Sequence, residues 1–350
     1  MIDPFGPDDR AGFRPTQYNE LGKALPLAVS ADDRIRIGVS SCLLGERVRY
    51  DGGHKRDHFL TEVMGPHVEW VAVCPEFEIG LGVPREPIEL ERKSGEIRLV
   101  SIETRADHTT TMRRWVKRRL GELDQENISG YILKSRSPSC GIGRVQIHEW
   151  NGDRSSYGQG LYASALIERF ENLPIEEEQF LSNPKQRENF IERAFAYRRL
   201  RQLFSGSWRN RDLAEFHIQH ELLLMAHSPR LSREIGRVVV QIANRPRKEF
   251  RLRYESLFMQ AMKSATSRRR HAKVLRQIAD SFAEQLGPAE AQELGRIIEG
   301  YSQGLEPLCT PLASIRILAR RIGIHYLEEQ VYLNPHPQEV ALRDRAKSFP

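Results

Sequence analysis

The chain has 350 residues, a net charge of +6, 39% hydrophobic and 29% charged residues, and four cysteines. This composition is typical of a globular protein with room for two domains, since domains usually hold roughly 100–200 residues. No apolar run approaches the ~20 residues of a membrane span, and the acidic, proline-rich N-terminus lacks the apolar core of a signal peptide. Four scattered cysteines form no disulfide framework. We therefore expect a cytoplasmic protein with no membrane partner.

The first half of the chain alternates between strand and helix patterns. After an irregular arm over residues 1–33, "RIRIGVSSCLLG" predicts a strand over Ile35–Ser40. The segments "HVEWVAVCPEFEIG" and "ISGYILKSRSPSCG" repeat the pattern of an apolar strand followed by a cysteine. Between them, "TTTMRRWVKRRLGELDQ" predicts a helix, with threonines as candidate N-caps, and a closing helix follows in "GQGLYASALIERF". Alternating strands and helices indicate an α/β domain over residues 34–173 with a mainly parallel sheet.

The second half of the chain has a different pattern. A linker over residues 174–184 is followed by residues 185–345, in which segments such as "RENFIERAFAYRRLRQLF" and "RDLAEFHIQHELLLMAHS" carry apolar residues at i, i+3 and i+4. These segments end in Gly, Ser or Pro, which terminate helices. The sequence therefore predicts a separate all-α domain.

Three of the four cysteines each follow a predicted strand. Because the carboxyl ends of parallel strands meet at one edge of a sheet, Cys42, Cys74 and Cys140 are expected to converge there. They can be unrelated buried thiols, zinc ligands or iron–sulfur ligands. No Cys-x-x-Cys…His spacing favours zinc, whereas a cluster held by three cysteines leaves one iron open. We interpret Cys309, alone in the helical part, as a packing residue, and His217 and His220 as buried or capping residues.

Three segments carry a family likeness. "VSSCLLGERVRYDGGHK", "VCPEFEIGLGVPREPIEL" and "LKSRSPSCGIGRV" closely resemble, in the same order, the signature segments of the thiouracil desulfidase (TudS) family. This resemblance implies a [4Fe-4S] cluster held by Cys42, Cys74 and Cys140, with one open iron that takes sulfur from a thiolated pyrimidine. It also implies that Glu76 and Ser137 are catalytic. Many relatives carry a further cysteine where this chain has "GERVRY", a difference that leaves the three ligands in place.

The residues near the cysteines suit this chemistry. An iron that binds a thiocarbonyl sulfur acts as a Lewis acid, and a carboxylate beside it can serve as the general base for water attack and later as the acid. Glu76 is two residues from a cysteine, although a strand-end salt bridge is an alternative role. Ser137 either orients water or substrate, or forms a turn before Pro138. The candidate substrate-binding residues are Lys134, Arg136, Ser139 and Asp51. The alternative for Lys134 and Arg136 is that their side chains are simply solvated.

The helical domain resembles the YbgA-like domain, most clearly in "KEFRLRYESLFMQAM", "VLRQIADSF" and "YLEEQVYLNPHPQE". Its fusion to the first domain resembles bacterial desulfidases that act on 4-thiouridine in tRNA, which implies that the helical domain holds the RNA. Charge supports this independently, because residues 245–276 contain eleven Lys or Arg and two acids, a net +9. A solvated helix face is the alternative. The candidate tRNA-binding residues are Arg247, Lys248, Arg251, Arg268, Arg269, Arg270 and Lys273.

The sequence thus predicts a redox-neutral, [4Fe-4S]-dependent enzyme that converts 4-thiouridine in tRNA to uridine and sulfide. One alternative is the same chemistry on free thiouracil or thionucleosides, with the helical domain serving assembly. Another is a non-catalytic RNA-binding module with a structural metal site. Such a structural site would need four protein ligands and no open position.

Overall fold

A computed structural model describes residues 34–150, 155–242 and 246–349. The predicted N-terminal arm over residues 1–33 lies outside the described residues. The described chain forms two compact units. One, called here the α/β unit, comprises residues 34–198 and 338–349, and the other, called the helical unit, comprises residues 199–337.

Eight strands belong to the α/β unit. They are β1 (Ile35–Ser40), β2 (Val68–Val73), β3 (Ile88–Lys93), β4 (Glu96–Ser101), β5 (Gly130–Leu133), β6 (Val145–Glu149), β7 (Ser155–Gly158) and β8 (Ile175–Glu177). Four of them form an all-parallel sheet in the order β2-β1-β5-β8. The predicted parallel sheet and the predicted bounds of β1 are confirmed. The position of Gly38 in β1 requires glycine, because a Cβ there would lie 2.2 Å from the ring of Tyr131 in β5.

A second sheet in the same unit is absent from the sequence prediction. Its strand order is β4-β3-β6-β7, with β3 antiparallel to β4, β6 antiparallel to β7, and β3 parallel to β6. The segment "IELERK" of β3 carries mostly charged side chains, so it lacks the apolar run that identified β1, β2 and β5. Cross-strand ion pairs such as Arg92–Glu149 accompany this pattern.

The described residues of the α/β unit also include five α-helices, in whole or in part. They are α1 (Pro75–Glu78), α2 (Thr109–Gln125), α3 (Leu161–Arg169), α4 (Pro184–Phe204) up to Arg198, and α12 (Pro337–Ser348). Helix α2 has the predicted bounds and buries Met112 and Trp115 in the core. Its threonines are not N-caps, because His108 occupies that position and Thr109 Oγ1 accepts a hydrogen bond from the Leu99 amide (2.9 Å).

The boundary between the two units differs from the predicted one. Residues 174–184 are not a linker, since β8 pairs with β5 inside the sheet. The first part of α4 and the C-terminal helix α12 also pack in the core of the α/β unit, where Phe190 and Leu342 are each 1% exposed. Arg343 of α12 forms ion pairs with Glu188 and Glu192 of α4, both at 2.8 Å. The end of the chain therefore returns to the α/β unit.

The helical unit contains the rest of α4 and the helices between α4 and α12. These are α5 (Asn210–His227), α6 (Pro229–Val240), α7 (Arg247–Lys263), α8 (Arg268–Ser281), α9 (Pro288–Gln303), α10 (Cys309–Ile322) and α11 (His325–Glu328). Phe216, Tyr254 and Phe258 pack against one another in its core. The predicted all-α character is confirmed. None of the helices in the described ranges has the length and apolar character needed to cross a membrane.

Candidate active site

The three cysteines that follow strands lie at one edge of the parallel sheet. Cys42 is in a helical turn directly after β1, Cys74 lies between β2 and α1, and Cys140 is in the loop after β5. Since β2, β1 and β5 are neighbours in the sheet, their carboxyl ends bring these loops together. Cys42 and Cys140 are buried and Cys74 is half-buried. We call Cys42, Cys74 and Cys140 the three site cysteines.

Burial and nearby negative charge raise the pKa of all three thiols. Burial raises the pKa of Cys42 to about 12 and that of Cys74 to about 11. Burial also raises the pKa of Cys140 well above its ordinary value, and negative charge on Glu76, Cys74 and Cys42 raises it further. The thiols are thus close enough to influence one another. Among the described residues, no three His, Cys, Asp or Glu side chains are arranged around a single metal ion.

The loop that carries Cys140 is held by the hydroxyl of Ser137 and by helix α3. Ser137 Oγ accepts hydrogen bonds from the amides of Ser139 (3.2 Å) and Cys140 (3.1 Å). The first amides of α3 donate to carbonyls of this loop, including that of Tyr162 to Ser139 O (3.0 Å). Gly160 allows this approach, because a Cβ there would lie 2.5 Å from the Ser139 carbonyl. These contacts tie the loop to the first turn of α3.

Glu76 contacts this loop and a buried arginine. The Ser137 hydroxyl donates to Glu76 Oε1 (3.3 Å), and Arg85 Nη2 donates to Glu76 Oε2 (2.5 Å). The side chains of Glu76 and Arg85 are 14% and 5% exposed. The structure thus brings together Glu76, Ser137 and the three site cysteines. Arg85 was missed because one arginine in "VPRE" has no diagnostic spacing; its only signal was its place inside a recognised segment.

The four predicted substrate-binding residues have different surroundings. Lys134 forms an ion pair with Glu178, and its amide donates to Ser40 Oγ (2.9 Å). Asp51 is exposed and accepts a hydrogen bond from the amide of Gly53 (2.9 Å), which closes its own turn. Of the remaining two predicted residues, Arg136 is exposed. Ser139 is fully buried, and its Oγ has no hydrogen-bond partner within the described residues. Lys134 and Asp51 therefore support loop structure, and their contact with substrate stays a prediction.

The basic residues predicted to contact tRNA lie on α7 and α8 and fall into two groups. Four of them contact other groups of the helical unit. The Cζ atom of Arg247 lies 4.5 Å from the centroid of the Trp208 ring, and the guanidinium groups of the other three donate hydrogen bonds to backbone carbonyls. Those three are Arg251, Arg268 and Arg270. The remaining three, called here the exposed basic trio, are exposed and form no hydrogen bond or ion pair within the described residues. They are Lys248, Arg269 and Lys273.

The other residues considered as ligands are not part of this site. His220 is buried in the helical unit, as predicted, whereas His217 is half-buried there, and desolvation lowers the pKa of His217 to about 4. His220 Nε2 accepts a hydrogen bond from Arg199 Nε (3.0 Å), so this ring nitrogen is already occupied. The prediction that Cys309 is a packing residue is wrong, because it is exposed at the first turn of α10.

Two family models match the chain. Residues 37–178 match 2-thiouracil desulfurase, and residues 221–337 match DUF1722, a protein family of unknown function. The uncharacterized protein YbbK of Bacillus subtilis (strain 168) is 32% identical over 133 residues, 37% of this chain and 87% of YbbK. The uncharacterized protein YbgA of Escherichia coli (strain K12) is 25% identical over 152 residues, 43% of this chain and 90% of YbgA.

Among solved structures, the chain is similar to a [4Fe-4S]-dependent thiouracil desulfidase, TudS. The two are 34% identical, and the match covers 43% of this chain and 94% of TudS with a TM-score of 0.35.

Proposed function

We propose that this chain, which belongs to the 2-thiouracil desulfurase family, removes sulfur from 4-thiouridine in tRNA and leaves uridine and sulfide. Family membership makes the α/β unit a desulfidase. The observation that carries the proposed mechanism is the convergence of the three site cysteines with a carboxylate held between Ser137 and Arg85. Buried thiols beside a fixed carboxylate provide both a soft metal site and a proton acceptor.

The donor set fits a [4Fe-4S] cluster with one iron that lacks a cysteine ligand. Burial holds the three thiols in their neutral forms, and iron would favour the thiolates by its positive charge. Thiolates of a cluster bind different irons, so they need not surround a single ion. When bound, the cluster would supply a Lewis acid for the soft sulfur of the substrate.

The protein side chains then account for the proton transfers. Glu76 takes a proton from water as the water oxygen bonds to the ring carbon that carries sulfur. The carbon–sulfur bond breaks with its electron pair on sulfur, which takes the proton held by Glu76 and leaves as hydrosulfide. The new hydroxyl on the ring carbon loses its proton and becomes the carbonyl. Ser137 donates to the Glu76 carboxylate, so it orients the base. One thiocarbonyl and one water give one carbonyl and one hydrogen sulfide, with no net oxidation or reduction.

The tRNA substrate is supported by charge in the helical unit. The net +9 of residues 245–276 exceeds the +6 of the whole chain, so positive charge is concentrated there. The exposed basic trio lies within this stretch and has no partner among the described residues to neutralise it. Phosphate contacts of this kind supply most of the affinity in sequence-independent nucleic-acid binding.

Activity on free thiouracil or thionucleosides is the second candidate. It is favoured by the internal contacts of Arg247, Arg251, Arg268 and Arg270, which leave fewer cations for phosphate. The two candidates are separated by kcat/KM for 4-thiouridine within tRNA, the free nucleoside and 2-thiouracil at fixed salt. The proposal expects tRNA to be preferred by at least about tenfold. A preference for either small molecule would replace it by the second candidate.

A further inference from the structure

We infer that Arg85 is a positioning residue that fixes the Glu76 carboxylate for proton transfer, an inference that rests on the function proposed above. Arg85 lies in the loop between α1 and β3 and follows no strand that ends at the site. Its guanidinium nevertheless donates to Glu76 Oε2 at 2.5 Å, on the side of the carboxylate opposite to the Ser137 contact.

The guanidinium is buried, and its two terminal nitrogens are paired, whereas Nε has no hydrogen-bond partner within the described residues. Its side chain is 5% exposed, and Nη1 donates to the carbonyls of Val48 and Gly82, each at 2.9 Å. Burying a charge is costly unless hydrogen bonds and an opposite charge compensate it, and Arg85 has both. The planar fork of an arginine reaches three acceptors in different directions, which the point charge of a lysine does not.

These contacts connect Glu76 to the loop that follows β1. Besides the side-chain bond to Val48, the Arg85 amide donates to the carbonyl of Tyr50 (2.9 Å). The Cys74 thiol donates to the same Val48 carbonyl at 3.8 Å. Arg85 thus ties together the segment after Cys42, the segment after Cys74 and the base itself. A change at Arg85 is transmitted to Glu76 directly.

Glu76 keeps the capacity to accept a proton from water in this arrangement. A carboxylate offers about four lone-pair sites, and Ser137 and Arg85 occupy one on each oxygen. These two hydrogen bonds restrict the carboxylate to one orientation and leave lone-pair sites on both oxygens free to accept a proton. General-base catalysis depends on such an orientation, since a displacement of about 1 Å can cost about 100-fold in rate.

The test is a double-substitution cycle of Arg85→Lys and Glu76→Gln in the full-length, reconstituted protein. We expect Arg85→Lys to retain the visible absorbance of the cluster, to lower kcat by about 10- to 100-fold and to change KM by less than about twofold. In the Glu76→Gln background, Arg85→Lys should lower kcat by no more than about twofold, because the base through which Arg85 acts is already lost.

Arg343→Lys is the matched control for the structural cost of losing a guanidinium. The side chain of Arg343 is 14% exposed and is also paired with carboxylates of the α/β unit, but its partners Glu188 and Glu192 are on α4. It should lower the unfolding midpoint and leave kcat unchanged. Independent, multiplying losses from Arg85→Lys and Glu76→Gln would overturn the inference, as would a wild-type kcat in Arg85→Lys.

The cycle is run on free 4-thiouracil as well as on tRNA. If the wild-type protein were active only on the free base, the tRNA assignment would be refuted. The cycle on the free base would still measure the coupling between Arg85 and Glu76. Inactivity of the reconstituted wild-type protein on both substrates would overturn the proposed function and the role of Arg85 together.

Discussion

Leu342 is predicted to stabilise the desulfidase unit although it lies at the far end of the chain. It is 1% exposed in the same core cluster as Phe59 and Phe190. Removing a buried leucine side chain costs about 2–5 kcal/mol of unfolding free energy, from lost burial and the cavity left behind. Leu342→Ala should therefore destabilise the α/β unit by that amount. Val340→Ala on the same helix is the control, because Val340 is 39% exposed and should change stability by less than about 0.5 kcal/mol.

Hydrogen–deuterium exchange in increasing urea measures the stability of each unit separately. In Leu342→Ala, the amides of β1 should lose protection at lower urea than in wild type, while those of α9 should not change. Earlier loss of protection in α9 with β1 unaffected would refute the assignment of α12 to the α/β unit. The same packing means that truncation after residue 180 does not isolate an intact desulfidase, since it removes Phe190 and Leu342 together.

Four further outcomes are expected. Serine at any one of the three site cysteines should abolish the iron–sulfur absorbance, whereas Cys309→Ser should keep it; dependence on Cys309 would contradict the ligand set. Glu76→Gln should keep the absorbance and lower kcat by about 10²–10⁴-fold, and a near-normal rate would remove Glu76 from the mechanism. Alanine at the exposed basic trio should weaken tRNA binding and leave nucleoside turnover unchanged. In a plot of log Kd against log salt concentration, the slope should fall by about 0.9 for each lost contact with a duplex phosphate. An unaltered slope would mean that these residues do not contact the RNA. The cluster-free protein should lose stability to urea above about pH 9, where the thiols of the unfolded chain ionise. The cause is that burial raises the pKa of Cys42 to about 12 and that of Cys74 to about 11 in the folded state. An equally steep loss of stability in Cys42→Ser would contradict this cause.

The sequence predicted those features that depend on local pattern. Apolar runs located β1, β2 and β5, and the rule that parallel strands end at one edge then placed Cys42, Cys74 and Cys140 together. The prediction that the threonines of α2 are N-caps is wrong because Thr109 bonds to Leu99 of strand β4, a partner outside the helix.

Features that depend on distant partners were not predictable from pattern. The helical periodicity of α12 shows that a helix forms, but it does not show which unit Leu342 packs against. Likewise, nothing in "VPRE" shows that Arg85 reaches Glu76, nine residues earlier in the chain, through a loop. The sequence also does not show which basic residues of one stretch bond internally, as Arg268 does, and which, like Arg269, form no hydrogen bond or ion pair within the described residues.

The central claim is that this chain hydrolyses a thiocarbonyl without net redox change. The most direct measurement is a reaction of anaerobically reconstituted protein with 4-thiouridine tRNA in oxygen-18-labelled water, without added reductant or oxidant. The thiouridine absorbance should disappear with release of one sulfide per uridine formed, and the uridine should carry one labelled oxygen. Turnover that requires an added reductant, or uridine without the label, would contradict the account.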